Sequence, residues 1–147
     1  VTAIFSNGYG DSSAVKHQLL GNVTTILSTN SAFAALKAGG EVVTWGGSGY
    51  GGDSSAVEAK LRGNVTAIFS KGSAFAALKA GGEVVTWGDS DYGGDSSAVE
   101  AKLRGNVTAI FSNGYAFAAL KAGGEVVTWG KSDNGGDSSS ARLHARV

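Results

Sequence analysis

The chain repeats itself with a period of 42 residues. Residues 22–63 and 64–105 align without a gap and are identical at 36 of 42 positions. Residues 106–139 continue the register and match residues 64–97 at 30 of 34 positions. The same spacing separates the three tryptophans, Trp45, Trp87 and Trp129. Such repetition is typical of folds in which each unit covers the apolar face of its neighbour.

Residues 1–147 are predicted to form a single repeat domain, which the repeats divide into four parts. Residues 1–21 are interpreted as a contracted half unit, because they join the opening of a unit to the end of one. Three units follow, and the last has a C-terminal end that diverges after Ser139. These units are residues 22–63, 64–105 and 106–147.

Apolar runs in the unit of residues 64–105 predict three strands, at 65–70, 73–79 and 83–87. The first strand alternates, and because Ile68 interrupts its polar set, we expect both of its faces to be covered. Gly81 and Gly82 separate the second strand from the third, which indicates a hairpin turn.

A short helix is predicted at residues 98–103. Ser97 and Glu100 fit an S-x-x-E capping box, and Asp95 suits the positive end of the helix dipole. Val99 and Leu103 form one apolar stripe. The predicted fold class is therefore mainly β, with one short helix in each repeat.

Composition excludes several classes of function. The chain has no cysteine, so disulfides and thiolate metal sites are absent. Twelve basic and twelve acidic residues balance, so no net field attracts nucleic acid, and no apolar run is long enough to cross a bilayer. Neither His17 nor His144 has a serine or acidic partner at catalytic spacing. We expect no enzyme, no cofactor, no nucleic-acid partner and no membrane insertion.

The segment AFAALKAGGEVVTWG resembles the repeats of the regulator of chromosome condensation (RCC1-like repeats). Residues 76–87 supply the Ala-Leu pair, the Gly-Gly turn, the valines and the Trp-Gly of that pattern. Gly93 and Gly94 stand at its glycine-rich loop. The unit looks like the compact variant found in repeat arrays of marine microbes and dinoflagellates. The resemblance implies that each unit is one blade of a β-propeller and that its Trp-Gly is structural.

Two departures from this family leave the architecture open. The unit is shorter than the usual blade, with a helix in place of the fourth strand, and three and a half units do not close a seven-bladed ring. The chain is therefore predicted to be a β-propeller-like tandem repeat, either partial or completed by oligomerisation. An open β-rich solenoid is the alternative.

Differences between units mark candidate interaction loops, because exposed loops tolerate change and carry recognition. Neutral drift on a solvated surface would produce the same differences. The candidate positions are Lys71, Ser73, Asp89, Asp91, Tyr92, Asn113, Tyr115 and Lys131.

Three recurring features allow a binding and a structural interpretation. Asp89, Asp91 and Glu100 partly fit a calcium-loop pattern, whereas a solvated turn and a helix cap account for the same residues. The tryptophans are expected to be structural anchors, with a ladder that stacks on sugars or bases as the alternative. Three N-x-T sequons are candidate glycosylation sites, although asparagine there also suits a turn. They begin at Asn22, Asn64 and Asn106.

The sequence predicts a non-catalytic repeat scaffold for protein–protein interaction or assembly. Terminal repeats without polar caps expose apolar surface, so we expect protein partners, self-association or a place in a larger assembly. A self-assembling fibre or coat subunit is an alternative that near-identical units and low charge favour. A glycan- or calcium-binding module is the other.

Overall fold

Three antiparallel sheets, one in each 42-residue interval, form the body of the molecule. The computed structural model describes residues 13–139, so the opening of the half unit, the divergent C-terminal end and His144 lie outside the described residues. Each sheet is a meander of three strands in sequence order. The strands are β1 (Val23–Ser28), β2 (Ala32–Lys37), β3 (Val42–Gly46), β4 (Val65–Lys71), β5 (Ala74–Lys79), β6 (Val84–Gly88), β7 (Val107–Ser112), β8 (Ala116–Lys121) and β9 (Val126–Gly130).

The first strand of each sheet carries a β-bulge near its start. In β4 the register against β5 shifts between Val65 and Ala67, and β1 and β7 shift at the same place. A bulge adds one residue and so changes which side chains face the core. Val65 and Ile68 consequently pack into one core while Phe69 packs against the next, so both faces of the strand are covered.

A Gly-Gly pair forms the turn between the second strand and the third. The amide of Gly82 donates to the carbonyl of Lys79 at 2.8 Å, and the amide of Lys79 donates to the carbonyl of Glu83 at 2.9 Å. Gly82 has a φ of +87°, which glycine adopts without steric cost. A Cβ at this position would lie 2.5 Å from the backbone nitrogen of Asn106. Gly82 thus serves both the turn and the close approach of the next unit.

The predicted helix is a 3₁₀ helix, and its predicted capping box is wrong. The segment Ser97–Leu103 leaves helical geometry at Val99, where φ is −121°. The residue at the N-cap position, Ser96, makes no side-chain cap bond, and Asp95 Oδ1, one residue earlier, accepts the amide of Ser97 at 2.9 Å. Without a regular first turn, Ser97 and Glu100 do not reach each other's amides as the box requires. We call this segment and its equivalents the connecting segments: Ser13–Leu19, Ser55–Leu61 and Ser97–Leu103.

Each sheet has two faces, and the core lies between successive sheets. The alanine face of the second sheet carries Ala74, Ala76 and Val84, and it packs on the tryptophan face of the third sheet. That tryptophan face carries Val107, Ile110, Phe117, Val127 and Trp129. Leu103 of the connecting segment closes this core at 2% exposure. The first and second sheets form an equivalent core, which Leu61 closes.

Hydrogen bonds cross each interface at repeated positions. The indole Nε1 of Trp87 donates to the carbonyl of Gly51, and that of Trp129 donates to the carbonyl of Gly93, both at 3.1 Å. The amide of Val107 donates to the carbonyl of Gly82 at 3.2 Å. Buried hydrogen bonds such as the indole pair fix the position of one sheet on the next, because leaving their groups unpaired costs free energy.

Two exposed ion pairs also bridge the units. Lys60 lies 3.2 Å from Glu83, and Lys102 lies 3.4 Å from Glu125. Each joins a connecting segment to the Gly-Gly turn of the following sheet. Exposed pairs of this kind contribute little to stability. Apolar packing and the indole hydrogen bonds therefore dominate the interfaces.

The arrangement is a mainly β repeat of the propeller type. The first strands of successive sheets lie side by side, β1 next to β4 and β4 next to β7. Each connecting segment packs against the third strand of the sheet that follows it, on β3, β6 and β9. Within residues 13–139 the sheets do not form a closed ring.

Gly93→Ala is expected to destabilise the fold more than Gly135→Ala, although both positions have a φ near +100°. A Cβ at Gly93 would lie 2.5 Å from the ring of Phe117, whereas the nearest atom at Gly135 is 3.7 Å away. The backbone cost common to both variants is about 1–2 kcal/mol. Overpacking adds about 1–3 kcal/mol at Gly93 alone. Urea denaturation measures the two free energies of unfolding, and equal losses would contradict this packing.

Candidate functional site

Most of the positions that vary between units lie at one end of the molecule; Thr25 and Leu27 of β1, which correspond to Ala67 and Phe69 of β4, are the exceptions. We call this the loop end: the turns between first and second strands, residues 29–31, 71–73 and 113–115, and the loops after third strands, residues 47–52, 89–94 and 131–136. Backbone bonds hold each turn to its loop. The amide of Asp89 donates to Ser73, and that of Lys131 donates to Tyr115, both at 2.9 Å. A framework that barely changes thus presents its variable residues on a common side.

At one position of the loop end, different side chains in different units donate to the same backbone carbonyl position of the neighbouring loop. Thr29 Oγ1 donates to the carbonyl of Tyr50 at 2.7 Å. At the same position of the third unit, Asn113 Nδ2 donates to the carbonyl of Asn134 at 2.8 Å. The second unit has Lys71 there, whose side chain is outside the described part of the structure. These substitutions preserve the loop and alter the surface that it shows.

Tyr92, Tyr115 and Lys131 form a surface cluster across the second and third units, in which Tyr92 is half-buried. The two tyrosine rings lie 5.9 Å apart at 52°. Lys131 Nζ lies 5.9 Å from the centre of the Tyr92 ring, within the range of a cation–π contact. Tyr115 is 47% exposed and Lys131 is also exposed. We call these three residues the tyrosine–lysine patch.

The first junction between units does not carry such a patch. The residues at the equivalent positions are Tyr50, Ser73 and Asp89. Ser73, which the sequence marked as a candidate interaction residue, is only 6% exposed, so its side chain is not accessible to a partner. The repeat symmetry is therefore broken at the loop end of the second junction.

The acidic residues of the loop after β6 form turn contacts. Asp89 Oδ1 accepts the amide of Asp91 at 3.0 Å and so caps the turn Ser90–Tyr92. Glu100 is exposed on the connecting segment. Among residues 13–139, no three histidine, cysteine, aspartate or glutamate side chains are grouped to hold a metal ion. The structure does not bring Asp89, Asp91 and Glu100 together as a cation site.

The three tryptophans are buried at 5%, 4% and 4% exposure, in the order Trp45, Trp87 and Trp129. Each stacks on the phenylalanine opposite it on the second strand, at ring distances of 5.2–5.4 Å. Buried, stacked indoles offer no face to a sugar or a base. Their geometry is that of anchors within the core.

The sequon asparagines stand where one unit joins the next. Asn22, Asn64 and Asn106 have φ values of 65–66°, a left-handed conformation that asparagine tolerates better than most residues. Their carbonyls accept amides from the Gly-Gly turns of their own units at 2.7–2.8 Å. All three residues are exposed. The junction explains asparagine at these positions, and glycosylation stays a prediction.

Asp53 and Asp95 precede the connecting segments Ser55–Leu61 and Ser97–Leu103, Asp137 holds the equivalent position in the third unit, and hydrogen bonding lowers the pKa of all three. At Asp95, first the backbone amide and then the side chain of Ser97 stabilise the carboxylate and hold its pKa below the ordinary 3.8. At Asp53 and Asp137, first the side chain and then the backbone amide of Ser55 and Ser139, respectively, lower the pKa. A charged aspartate is thus part of each unit's turn.

The part of the chain that the structure describes contains no helix with the length and apolarity needed to cross a membrane.

Solved structures with a similar fold include human WBSCR16 and yeast RCC1 (Prp20). Human WBSCR16 is 21% identical with a TM-score of 0.53, and the match covers 76% of this chain and 34% of that one. Yeast RCC1 (Prp20) bound to Kap60 is 19% identical with a TM-score of 0.51, over 74% and 29%. Prp20p from Saccharomyces cerevisiae, studied with its binding to Gsp1p and histones, gives 19% and 0.51, over 74% and 30%.

The chain therefore spans about a third of the length of these structural neighbours. No protein-family model and no curated protein matches the sequence. The structural similarity confirms the resemblance seen in AFAALKAGGEVVTWG and the mainly β, propeller-like repeat fold.

Acid is expected to remove the stabilisation that Asp95 provides. Its folded pKa lies below the unfolded value of 3.8, so this stabilisation is present above pH 3.8 and is lost as the pH falls through the folded pKa. Carboxyl NMR titration measures the value directly. Ser97→Ala removes one of the two hydrogen bonds and should raise the pKa of Asp95 part of the way to 3.8, while Asp53 in the same sample stays unchanged. Titration of wild-type Asp95 at or above 3.8 would refute this cap.

Proposed function

We propose that this chain is a non-catalytic repeat scaffold that binds a protein partner at its loop end, through the tyrosine–lysine patch. The observation that carries the proposal is the break in symmetry. The units share one framework, yet Tyr92, Tyr115 and Lys131 come together only at the second of the two junctions in the described chain. A partner bound at this junction would account for three variable residues of two units meeting in one place.

The chemistry of the patch suits a protein surface. Tyrosine offers a large, stiff contact area and a hydroxyl, and it is enriched at sites that dominate binding energy. Lys131 adds one positive charge, with Asp89, Asp91 and Asp133 in the neighbouring loops. Mixed charge around an aromatic centre favours recognition of a protein over a polyanion such as nucleic acid.

Structural neighbours support an interaction role. The yeast RCC1 structure is a complex with Kap60, and Prp20p was examined for binding to Gsp1p and histones. Those partners belong to those proteins. What this chain shares with them is the fold, which presents loops on a rigid repeat frame.

Unit-swapped variants test the proposal without disturbing the frame. Tyr115→Ser with Lys131→Asp installs the residues that the second unit carries at these positions, Ser73 and Asp89. Partner proteins are first captured from the source organism with the wild-type chain, and their binding is then confirmed with purified components. Each partner should bind the double variant at least about tenfold more weakly than it binds the wild type, as expected for the loss of a central aromatic contact. Calorimetry measures the affinities.

Thr25→Ala is the matched control, because it also installs a residue of the second unit, Ala67, at an exposed position on a strand. It should leave each affinity within about twofold, the range expected of a peripheral change. If the partners bind the double variant as tightly as the wild type, the binding surface lies elsewhere and the tyrosine–lysine patch is not the binding site.

A further inference from the structure

Two asparagine–glycine bonds of the described chain lie at the loop end of the third unit, Asn113–Gly114 and Asn134–Gly135. A further one, at residues 7–8, lies outside the described residues. The first and second units carry a tyrosine at the position of Asn134 and no asparagine at the position of Asn113. The third unit therefore has a chemistry at its loop end that the two units before it lack.

The reaction open to an asparagine–glycine bond is an attack of the backbone on the side chain. The amide nitrogen of the glycine forms a bond to Cγ of the asparagine, the bond between Cγ and Nδ2 breaks, and ammonia leaves with the proton that the glycine amide gives up. Water then opens the cyclic imide at either of its carbonyls and gives aspartate or isoaspartate. Glycine favours the attack, because it has no Cβ to keep its amide at a distance.

Hydrogen bonds hold both the oxygen and the nitrogen of the Asn113 side chain. Oδ1 accepts the amides of Tyr115 and Ala116, each at 3.0 Å, and Nδ2 donates to the carbonyl of Asn134 at 2.8 Å. The reaction has to rotate this side chain and expel its nitrogen, so all three bonds are lost on the way, and each loss raises the barrier. The fold therefore protects Asn113, although the residue is exposed.

The reacting groups of Asn134–Gly135 have no such restraint. Within residues 13–139 the side-chain amide of Asn134 makes no hydrogen bond. The amide of Gly135 makes none there either, whereas the equivalent amide of Gly51 donates to the carbonyl of Ser48. Gly135 is exposed, and the nearest atom to a Cβ built on it is Nδ2 of Asn113, at 3.7 Å. Both groups are free, and the glycine has space around it.

A reaction at Asn134 would alter the contact between two segments of the loop end. Isoaspartate carries the chain through its side chain, so it adds one methylene group to the backbone before Gly135. It also converts the carbonyl that accepts Asn113 Nδ2 into a free carboxylate. Residues 131–136 contain one lysine and one aspartate, so either product makes the net charge of this loop negative.

We propose that Asn134–Gly135 is a site of spontaneous modification in the folded protein, converted through a cyclic imide to aspartate and isoaspartate, while hydrogen bonding keeps Asn113–Gly114 intact. The two bonds join the same pair of residues, and a hydrogen bond connects them, so the selectivity between them comes from the fold. The reaction consumes only water and needs no partner. Its outcome is therefore independent of the binding role proposed for the tyrosine–lysine patch.

Incubation of the folded chain at neutral pH, followed by peptide mapping, tests this selectivity. Trypsin places Asn113 and Asn134 in different peptides, residues 105–121 and 132–142. Fragment mass spectra measure the conversion at each asparagine, and protein isoaspartyl methyltransferase labels the isoaspartate product. In the folded protein Asn134 should react at least about tenfold faster than Asn113, which corresponds to about 1.4 kcal/mol in the barrier.

The chain unfolded in guanidinium chloride is the reference, because no fold restrains either side chain there. In this state the two bonds should react at similar rates. Asn134→Tyr is the matched variant, since it installs the residue of the second unit, Tyr92. It should abolish the modification in residues 132–142 and leave Asn113 intact, with circular dichroism to verify that the variant is folded. The proposal is wrong if Asn113 reacts as fast as Asn134 in the folded protein. It is equally wrong if Asn134 stays intact there over the time in which the unfolded chain is converted.

Discussion

The packing of an alanine face on a tryptophan face is the interaction on which the rest of the molecule depends. A three-stranded sheet is too small to bury both of its faces alone, so each sheet is stable only with neighbours. Because the alanine face has small side chains, the phenylalanine and tryptophan of the opposing face are buried against it. Phe75 and Trp87 are accordingly 0% and 4% exposed. Gly51 is required for the same reason, since a Cβ there would lie 2.4 Å from the Phe75 ring.

Much of this architecture is predictable from sequence because the same 42 residues recur. Each strand lies within about one residue of its predicted bounds, as at β5, and the Gly-Gly turn is where it was expected. The helix type was not predictable in the same way. An S-x-x-E pattern indicates a capped helix, but Asp95 two residues before Ser97 captures its amide first, and the backbone leaves helical geometry at Val99.

The sequence identified the residues of the candidate site, but it did not show that they lie close together in space. Comparing units identifies Tyr92, Tyr115 and Lys131 as variable, but nothing in a linear sequence says that a loop after β6 meets a turn before β8. The same comparison selected Ser73, which is buried, because exposure depends on the neighbouring unit. Val126 is 45% exposed although the equivalent Val84 is 6% exposed, so identical residues at this position differ in exposure according to the packing around them.

Stacking and recognition are linked, because the tyrosine–lysine patch exists only where two units meet. Its Tyr92 belongs to the second unit, and Tyr115 and Lys131 belong to the third, so loss of the interface would separate them.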